Sequence, residues 1–168
     1  AFYSAFSQSE SESISGNVRW GLRKAYENGT IKIGPNLYGF RREKDGPVLV
    51  DEEKAAVIRQ IARWLLDGDS LHTIADKLAQ RHIPSPKGKE TWSTATLRSL
   101  LTNEKYKGDA LLQKTYRPSL FSDRAVKNDG ILKKYYVEGV LPHILEPEVF
   151  DRVQEELAKR SAKRPTSE

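Results

Sequence analysis

Residues 70–108 read SLHTIADKLAQRHIPSPKGKETWSTATLRSLLTNEKYKG, and this stretch decides the fold. Ser70 precedes apolar residues at 71, 74, 75, 78 and 79, a spacing that predicts a capped helix with one buried face. Pro84 and Pro86 prevent that helix from continuing, because proline lacks an amide hydrogen. Ser93 opens a second short helix, apolar at 97, 100 and 101, that runs to about Asn103. The pair has helix-turn-helix character, although its loop of about ten residues exceeds the usual three or four.

The segment before this pair predicts a hairpin and a further helix. LYGFRRE and PVLVDEE flank KDG, where Asp45-Gly46 suits a hairpin turn. Asp51 then caps a helix that runs to about Asp67 and ends at Gly68. Its apolar face holds Val57, Ile58, Ile61, Ala62 and Leu65.

The segment after the pair predicts short extended pieces and a last helix. YKGDALLQKTY indicates a strand or turn, the polar residues 117–134 indicate a mobile loop, and YYVEGVLPHIL an extended return into the core. Pro147 starts a helix that faces Phe150, Val153 and Leu157 inward and then dissolves into the basic segment KRSAKRPTSE.

The N-terminal residues 1–28 predict one long helix, because apolar residues fall at helical intervals before Asn28-Gly29. A frayed, partly disordered terminus is the alternative. The chain contains no methionine and begins in the middle of a helical pattern, so we expect a piece of a longer protein. The expected fold class is α+β and mainly α: a helix-turn-helix-like core, a small antiparallel β element and a long projecting N-terminal helix.

Composition narrows the classes of function. The net charge is +5, and basic residues concentrate in two stretches, 16–34 and 85–117, which makes an acidic partner plausible. The absence of cysteine excludes disulfides, thiolate nucleophiles and cysteine-based zinc sites within this chain. No apolar run reaches the roughly 20 residues that span a bilayer, so we expect an intracellular protein without a membrane partner.

The sequence offers no catalytic constellation. His72, His82 and His143 are scattered, and we expect surface or capping roles for them rather than metal binding. Neither a phosphate-binding glycine loop nor a nucleophile elbow occurs. We therefore expect no cofactor, no metal and no catalysis by this chain on its own.

The second helix of the pair is the candidate reading element for duplex DNA. In a helix-turn-helix the N-terminal residues of that helix face base edges. Ser93, Thr94 and Thr96 are short enough to approach bases, and Arg98 suits a bidentate contact with guanine. Two interpretations stay open: a DNA-reading helix, or a buried helix with an ordinary polar exterior. The preceding loop supplies Lys87 and Lys89 for phosphates, while Trp92 is expected to fill the core rather than stack on bases.

At this point the sequence resembles the recombinase domain of the large serine recombinases, which include phage integrases and transposon recombinases. The resemblance rests on NLYGFRR, on the stretch from VDEEKAAVIRQIARWLLDGDS through TWSTATLRSLLTNEKYKGDALL, and on HILEPEVFDRVQEEL. SESESISGNVRWGLRKAYENG resembles the end of the long helix that joins the catalytic domain of that family to its DNA-binding domains. Nearly the whole chain is covered, and the order of the segments is specific.

The resemblance implies a division of labour. An upstream resolvase-type domain would hold the serine that forms the phosphoserine link to DNA, and a zinc-bearing domain would follow downstream. This chain would be the middle module that recognises part of an attachment half-site on double-stranded DNA. The implied boundaries are a connecting helix at 1–28, a linker at 29–36, the DNA-binding domain at 37–158 and a basic linker at 159–168. The resemblance also implies a protein that is encoded by a bacterium or a phage and acts on DNA in the cytoplasm.

The resemblance also adds basic residues outside the helix pair to the candidate DNA contacts. For Arg41 and Arg42 in the hairpin, a second interpretation stays open: surface charges that keep the protein soluble and do not contact DNA. The N-terminal helix, with exposed phenylalanines, would support self-association, and the parent protein would form dimers or tetramers. The candidate DNA-contacting residues are Arg19, Arg23, Lys24, Lys32, Arg41, Arg42, Lys87, Lys89, Ser93, Thr94, Thr96, Arg98, Lys105 and Lys107.

Two other functions remain open on the sequence. A stand-alone transcription regulator would use the same helix pair without strand exchange. A protein-interaction module would carry a basic surface only incidentally.

Overall fold

The computed structural model of the chain describes residues 17, 20, 21, 24, 25, 37–42, 46–112, 114–116, 123–132 and 134–162. Asn17, Trp20, Gly21, Lys24 and Ala25 are helical, and the rest of the helix predicted over 1–28 lies outside the described residues. The helices are α1 (Glu52–Leu66), α2 (Leu71–Gln80), α3 (Thr94–Leu101) and α4 (Pro147–Ala162), with a 3-10 turn at Glu104–Lys107. The strands are β1 (Phe40–Arg42), β2 (Val48–Val50), β3 (Ala110–Leu112), β4 (Thr115–Tyr116), β5 (Val126–Lys127) and β6 (Tyr135–Val137).

Helix α1 is the central core helix, and its predicted bounds are confirmed. The Asp51 carboxylate accepts a hydrogen bond from the amide of Lys54 at its start. At its end the amide of Gly68, with φ of +110°, donates to the carbonyl of Leu65. The predicted apolar face is buried except for half-buried Val57, and Ala55 and Trp64 are buried in addition.

Helices α2 and α3 form the predicted pair on this core. Ser70 and Ser93 cap them, each accepting at 3.1 Å from the amide three residues later. Ile74 and Leu78 from α2, like Leu97 and Leu101 from α3, have no exposed surface. Local caps and apolar spacing are therefore enough to specify these two helices.

Trp92 closes the long loop between the two helices onto the core, as predicted. It is 4% exposed, and its indole nitrogen donates to the carbonyl of Ile83 at 2.9 Å. Its ring meets Tyr38 edge to face, with centroids 5.5 Å apart. A buried indole whose only polar group is satisfied is not available to stack on a base.

Helix α4 packs against α1 and is longer than predicted. Phe150, Val153 and Leu157 are buried, as expected. The prediction that the helix dissolves at residue 159 is wrong, because it continues to Ala162. Arg160 donates to the carbonyls of Leu65 and Asp69, which lie at the end of α1 and just beyond it. This tertiary contact stabilises a further turn of helix in a segment whose sequence is typical of a linker.

The predicted hairpin is formed by β1 and β2, paired antiparallel with Arg41 opposite Leu49. Asp45 of its turn lies outside the described residues. Gly39 precedes β1 with φ of +91°, and a Cβ there would lie 2.5 Å from the Cδ1 atom of Ile58. The hairpin can therefore press its backbone onto α1 only because this residue is glycine.

The remaining strands form two small antiparallel pairs, β3 with β6 and β4 with β5, hereafter called the distal sheets. Part of the segment 117–134, predicted to be a mobile loop, is instead extended, since 126–127 form the strand β5. Asn128 after it is fully buried, its amide group holding the backbone of Gly130 and Leu132. Residues 117–122 and 133 lie outside the described residues.

The return segment after β6 enters the core as predicted, with Val140, Leu141, Ile144 and Leu145 buried. In the part of the chain that the structure describes, four helices form the body and short antiparallel strands are added to it. The predicted α+β, mainly helical class is confirmed.

Candidate nucleic-acid interface

Arg98 is the most available of the predicted base-reading residues on α3. It is exposed, and its guanidinium has no hydrogen-bonding or ionic partner among the described residues. Ser93 and Thr96 are already engaged, because their side-chain oxygens lie 2.8 Å apart and Ser93 also caps the helix. Thr94 is half-buried. Direct base contact therefore suits Arg98 best, and the short side chains are better suited to shaping the start of the helix.

Beside Arg98 lies a groove of about 380 Å³ between the beginnings of α2 and α3 and the end of α4. Arg98, Arg160 and the apolar Leu157 are among its lining residues, and the guanidinium of Arg160 is already bonded to Glu156 and to the carbonyls of Leu65 and Asp69. Helix N-termini carry unpaired amides and a partial positive charge, which favours anions. The groove is lined by Ser70, Leu71, His72, Thr94, Ala95, Arg98, Leu157 and Arg160.

The sequence did not single out His72 or Arg160 for this site. His72 was expected to be a surface or capping residue, and it is indeed exposed, but the fold brings it into the groove with Arg98. Arg160 lies 62 positions after Arg98 in the sequence, within the segment interpreted as a linker. No spacing rule connects residues this far apart, so only the packing of α4 identifies them as neighbours.

Lys87 and Lys89 lie on the exposed part of the loop that precedes α3. Neither ammonium group has a partner among the described residues. Ammonium groups of this kind neutralise phosphates and release counterions. The structure thus places the two lysines as predicted, on the approach to α3, with their charge available.

Lys105 and Lys107 differ from each other in their surroundings. The Nζ atom of Lys107 lies 3.1 Å from a carboxylate oxygen of Asp151 on α4, and this hydrogen bond raises the pKa of Lys107. Its charge is therefore already balanced. Lys105 is half-buried without a described partner, so it is the better candidate of the two for a phosphate.

The hairpin and the N-terminal region contribute the other predicted residues. Arg41 and Arg42 are both exposed, where alternation along the strand predicted at least one; the Nε atom of Arg42 donates to the carbonyl of Gly46 at 3.2 Å. Lys24 is exposed on a helical segment. Arg19, Arg23 and Lys32 lie outside the described residues.

The described residues hold no group of three or more histidine or acidic side chains placed to bind a metal ion. Among the same residues no helix is both long enough and apolar enough to cross a bilayer.

Residues 52–160 match the model of the Recombinase family, which amounts to more than half of the chain. The chain belongs to the Recombinase family. The match begins at the first residue of α1 and ends at Arg160, so it includes the helix pair, the distal sheets and the contact between α1 and α4. Both sides of the groove therefore lie within the family's domain.

The chain is also similar to a named bacterial protein. A protein of Bacillus subtilis (strain 168) that carries the provisional name DNA recombinase is 27% identical over 173 residues, covering 97% of this chain and 35% of the relative. The chain thus spans about a third of the length of that relative.

Two solved structures share the fold. The crystal structure of a complex between an LSR (a large serine recombinase) and DNA superposes with a TM-score of 0.55 at 21% identity, over 89% of this chain and 39% of that one. A structure that concerns the sequence requirements of the Listeria innocua prophage attP site has a TM-score of 0.53 at 20% identity, over 90% and 57% of the two chains. At these identities the likeness establishes the fold.

Proposed function

We propose that this chain is a DNA-binding segment of a site-specific serine recombinase and recognises part of a duplex attachment half-site during integration or excision. The observation that carries the proposal is the exposed guanidinium of Arg98, which has no partner among the described residues and lies on a short capped helix beside a groove that Arg160 also lines. Membership of the Recombinase family supports it, as does the fold shared with an LSR–DNA complex.

The proposed mechanism separates positioning from reading. Lys87, Lys89 and Lys105 contact phosphates and make the affinity depend steeply on salt. Arg98 reads a guanine edge in the major groove. The hairpin arginines and the basic residues near the end of the N-terminal helix extend the phosphate contacts along the duplex.

In this proposal strand cleavage is the task of a serine outside this chain. Residues 1–28 continue a helix from the catalytic domain, 29–36 are a linker and the DNA-binding domain begins at 37. The proposed domain spans 37–158 and the proposed basic linker 159–168; the continuation of α4 to Ala162 and its contact with α1 through Arg160 favour a shorter linker. The protein, encoded by a bacterium or a phage, acts on DNA in the cytoplasm.

Self-association through the N-terminal helix is a further part of the proposal. Trp20, in the helical segment of that region, is 66% exposed, and an exposed tryptophan is typical of contact surfaces. A stand-alone transcription regulator, the alternative left open by the sequence, gains no support from the Recombinase match.

Selection of bound duplexes from a random library at stepped salt concentrations tests the proposal. Enrichment of one asymmetric motif, with an affinity that falls steeply as salt rises, is the expected result. Binding without any enrichment would reduce the chain to a module that follows the DNA backbone. Absence of binding at low salt would overturn the proposal in favour of an interaction module.

A further inference from the structure

The loop between α2 and α3 is anchored at its beginning. His82 adopts a left-handed conformation with φ of 54°, and its amide donates to the carbonyl of Ala79. The amide of Ile83 then donates to the carbonyl of Leu78 at 3.0 Å, which closes the end of α2. The carbonyl of Ile83 in turn accepts from the indole of Trp92. Ile83 therefore anchors both ends of the loop, through its amide to the end of α2 and through its carbonyl to Trp92.

Beyond Ile83 the chain forms a closed turn around Ser85. The amide of Ser85 donates to the carbonyl of Lys89 at 2.8 Å, and the amide of Lys89 donates back to the hydroxyl oxygen of Ser85 at 3.1 Å. The amide of Gly88 donates to the carbonyl of Ser85, and its φ of +73° lets the chain reverse. Three hydrogen bonds thus fix a stretch of five residues.

Ser85 is 8% exposed, whereas Lys87, Gly88 and Lys89 are exposed. The side chain of Ser85 is too small and polar to stabilise the loop by apolar packing. Its hydroxyl oxygen stabilises the turn instead, as a hydrogen-bond acceptor. Without that oxygen the amide of Lys89 would lack its acceptor, and one of the three bonds of the turn would be lost.

We propose that Ser85 is a positioning residue for DNA binding, and that it holds Lys87 and Lys89 in a preformed, phosphate-binding turn in front of the reading helix. The inference rests on the proposed function, since no acidic group among the described residues pairs with Lys87 or Lys89. A preformed turn lowers the conformational entropy that binding would otherwise cost, because two long side chains start from a fixed backbone.

The effect of Ser85 can be measured separately from that of Lys87 and Lys89. Removal of the hydroxyl by Ser85→Ala leaves both ammonium groups in place but loosens the backbone that carries them. We expect the dissociation constant for a short mixed-sequence duplex to rise about three- to fivefold, the equivalent of one hydrogen bond of about 1 kcal/mol. Base preference should not change, because α3 keeps its cap and its packing.

A double-mutant cycle in the full chain distinguishes positioning from mere stabilisation. Lys87→Gln with Lys89→Gln should reduce the slope of log affinity against log salt by about two. On that background Ser85→Ala should cost nothing further, because no charge is left to position. Ser85→Thr keeps the oxygen and should keep the affinity of the wild type. Ser161→Ala, which removes an exposed serine hydroxyl bonded within α4, is the matched control and should bind like the wild type.

Gly88→Ala alters the same turn at an exposed position. A Cβ at residue 88 meets no atom within 4 Å, so only the positive φ is strained, and the fold is not at stake. This variant should weaken binding to a similar extent as Ser85→Ala, which keeps the test decisive if Ser85→Ala folds poorly.

The outcomes are distinct. An equal loss from Ser85→Ala with and without the two lysines, or no loss in Ser85→Ala and Gly88→Ala alike, overturns the positioning role but leaves the proposed function intact. Failure of the wild-type chain to bind any duplex at low salt overturns the proposed function and this inference together.

Discussion

The helix pair and the distal sheets are stabilised in different ways, although they follow each other in the chain. The pair, residues 70–102, contributes fully buried aliphatic side chains to the main core. The distal sheets have a small apolar cluster of their own, centred on Ala110, Val140 and Leu141. Their other supports are buried polar groups, namely Glu104, Asp109 and Asn128.

The polar supports of the distal sheets are specific. Glu104, 8% exposed, accepts from the amide of Leu111 and from the Nζ atom of Lys114. Asp109 accepts from the hydroxyl of Tyr136 and from the amide of Gly139. Removal of one member of such a set leaves a buried polar group without its partner. The helix pair is therefore stabilised mainly by the packing of buried apolar side chains, and the distal sheets depend more on ion pairs and hydrogen bonds.

The largest expected effect is in the helix pair. Leu97→Ala removes a side chain with no exposed surface and leaves a cavity in the main core. We expect the free energy of unfolding to fall by about 2–5 kcal/mol. Urea denaturation followed by tryptophan fluorescence measures it. Val126→Ala, at an exposed position of β5, is the control and should change stability by less than about 0.5 kcal/mol; similar losses in the two variants would erase the distinction between the regions.

The distal sheets should respond to charge instead. Glu104→Gln keeps the size of the side chain but removes the charge that Lys114 pairs with, so local stability should fall by about 1–3 kcal/mol. Hydrogen exchange of the amides of β3 and β6 measures the change. Protection in α2 and α3 should hardly alter, and an equal loss there would show that the two regions unfold as one.

Acid should weaken the distal sheets first. Burial raises the pKa of Glu104, but Lys114 and the Leu111 amide outweigh it and leave the pKa below its ordinary value of 4.5. A lowered pKa means that the stabilisation is complete above the unfolded-state value and is lost as the pH falls through the folded-state value. We expect protection at Leu111 to decline with acid in the wild type. In Glu104→Gln this pH dependence should be absent, and its persistence would assign the acid sensitivity to another group.

Arg98→Ala should affect function without affecting stability. Arg98 is exposed and has no partner among the described residues, so the free energy of unfolding should change by less than about 0.5 kcal/mol. DNA affinity should fall by about 1–3 kcal/mol, with relaxed preference at one base pair. Competition binding against duplexes altered at single positions measures both. An unchanged base preference would remove Arg98 from the reading surface, and Arg152→Ala, at an exposed position on α4, serves as a charge-matched control.

The smallest effect is expected at the N-terminus. Deletion of residues 1–12 removes Phe2 and Phe6 and should raise solubility while DNA binding persists. Sedimentation velocity and duplex binding of the shortened chain measure the two properties. A complete loss of binding would place essential contacts in the deleted segment and contradict their assignment to the helix pair and its loop.

The prediction from sequence succeeded where the determining interactions are local. Ser70 and Ser93 are recognisable as caps because each acts on an amide three residues away. It failed for β5 because a two-residue strand, paired with β4 ten residues earlier, carries no periodicity that could be read. The ion pair of Lys107 with Asp151 was also missed, because Asp151 lies 44 residues away, and a phosphate contact of Lys107 stays a prediction.

The sequence by itself determined the helices, their caps, the buried role of Trp92 and the Recombinase assignment. Tertiary structure alone decided which basic residues remain available. It paired Lys107 with Asp151, used Arg160 to bind the end of α1, and brought His72 and Arg98 into one groove. The physical reason is that caps and apolar periodicity act within one or two turns of chain, whereas charges are paired across the fold by packing.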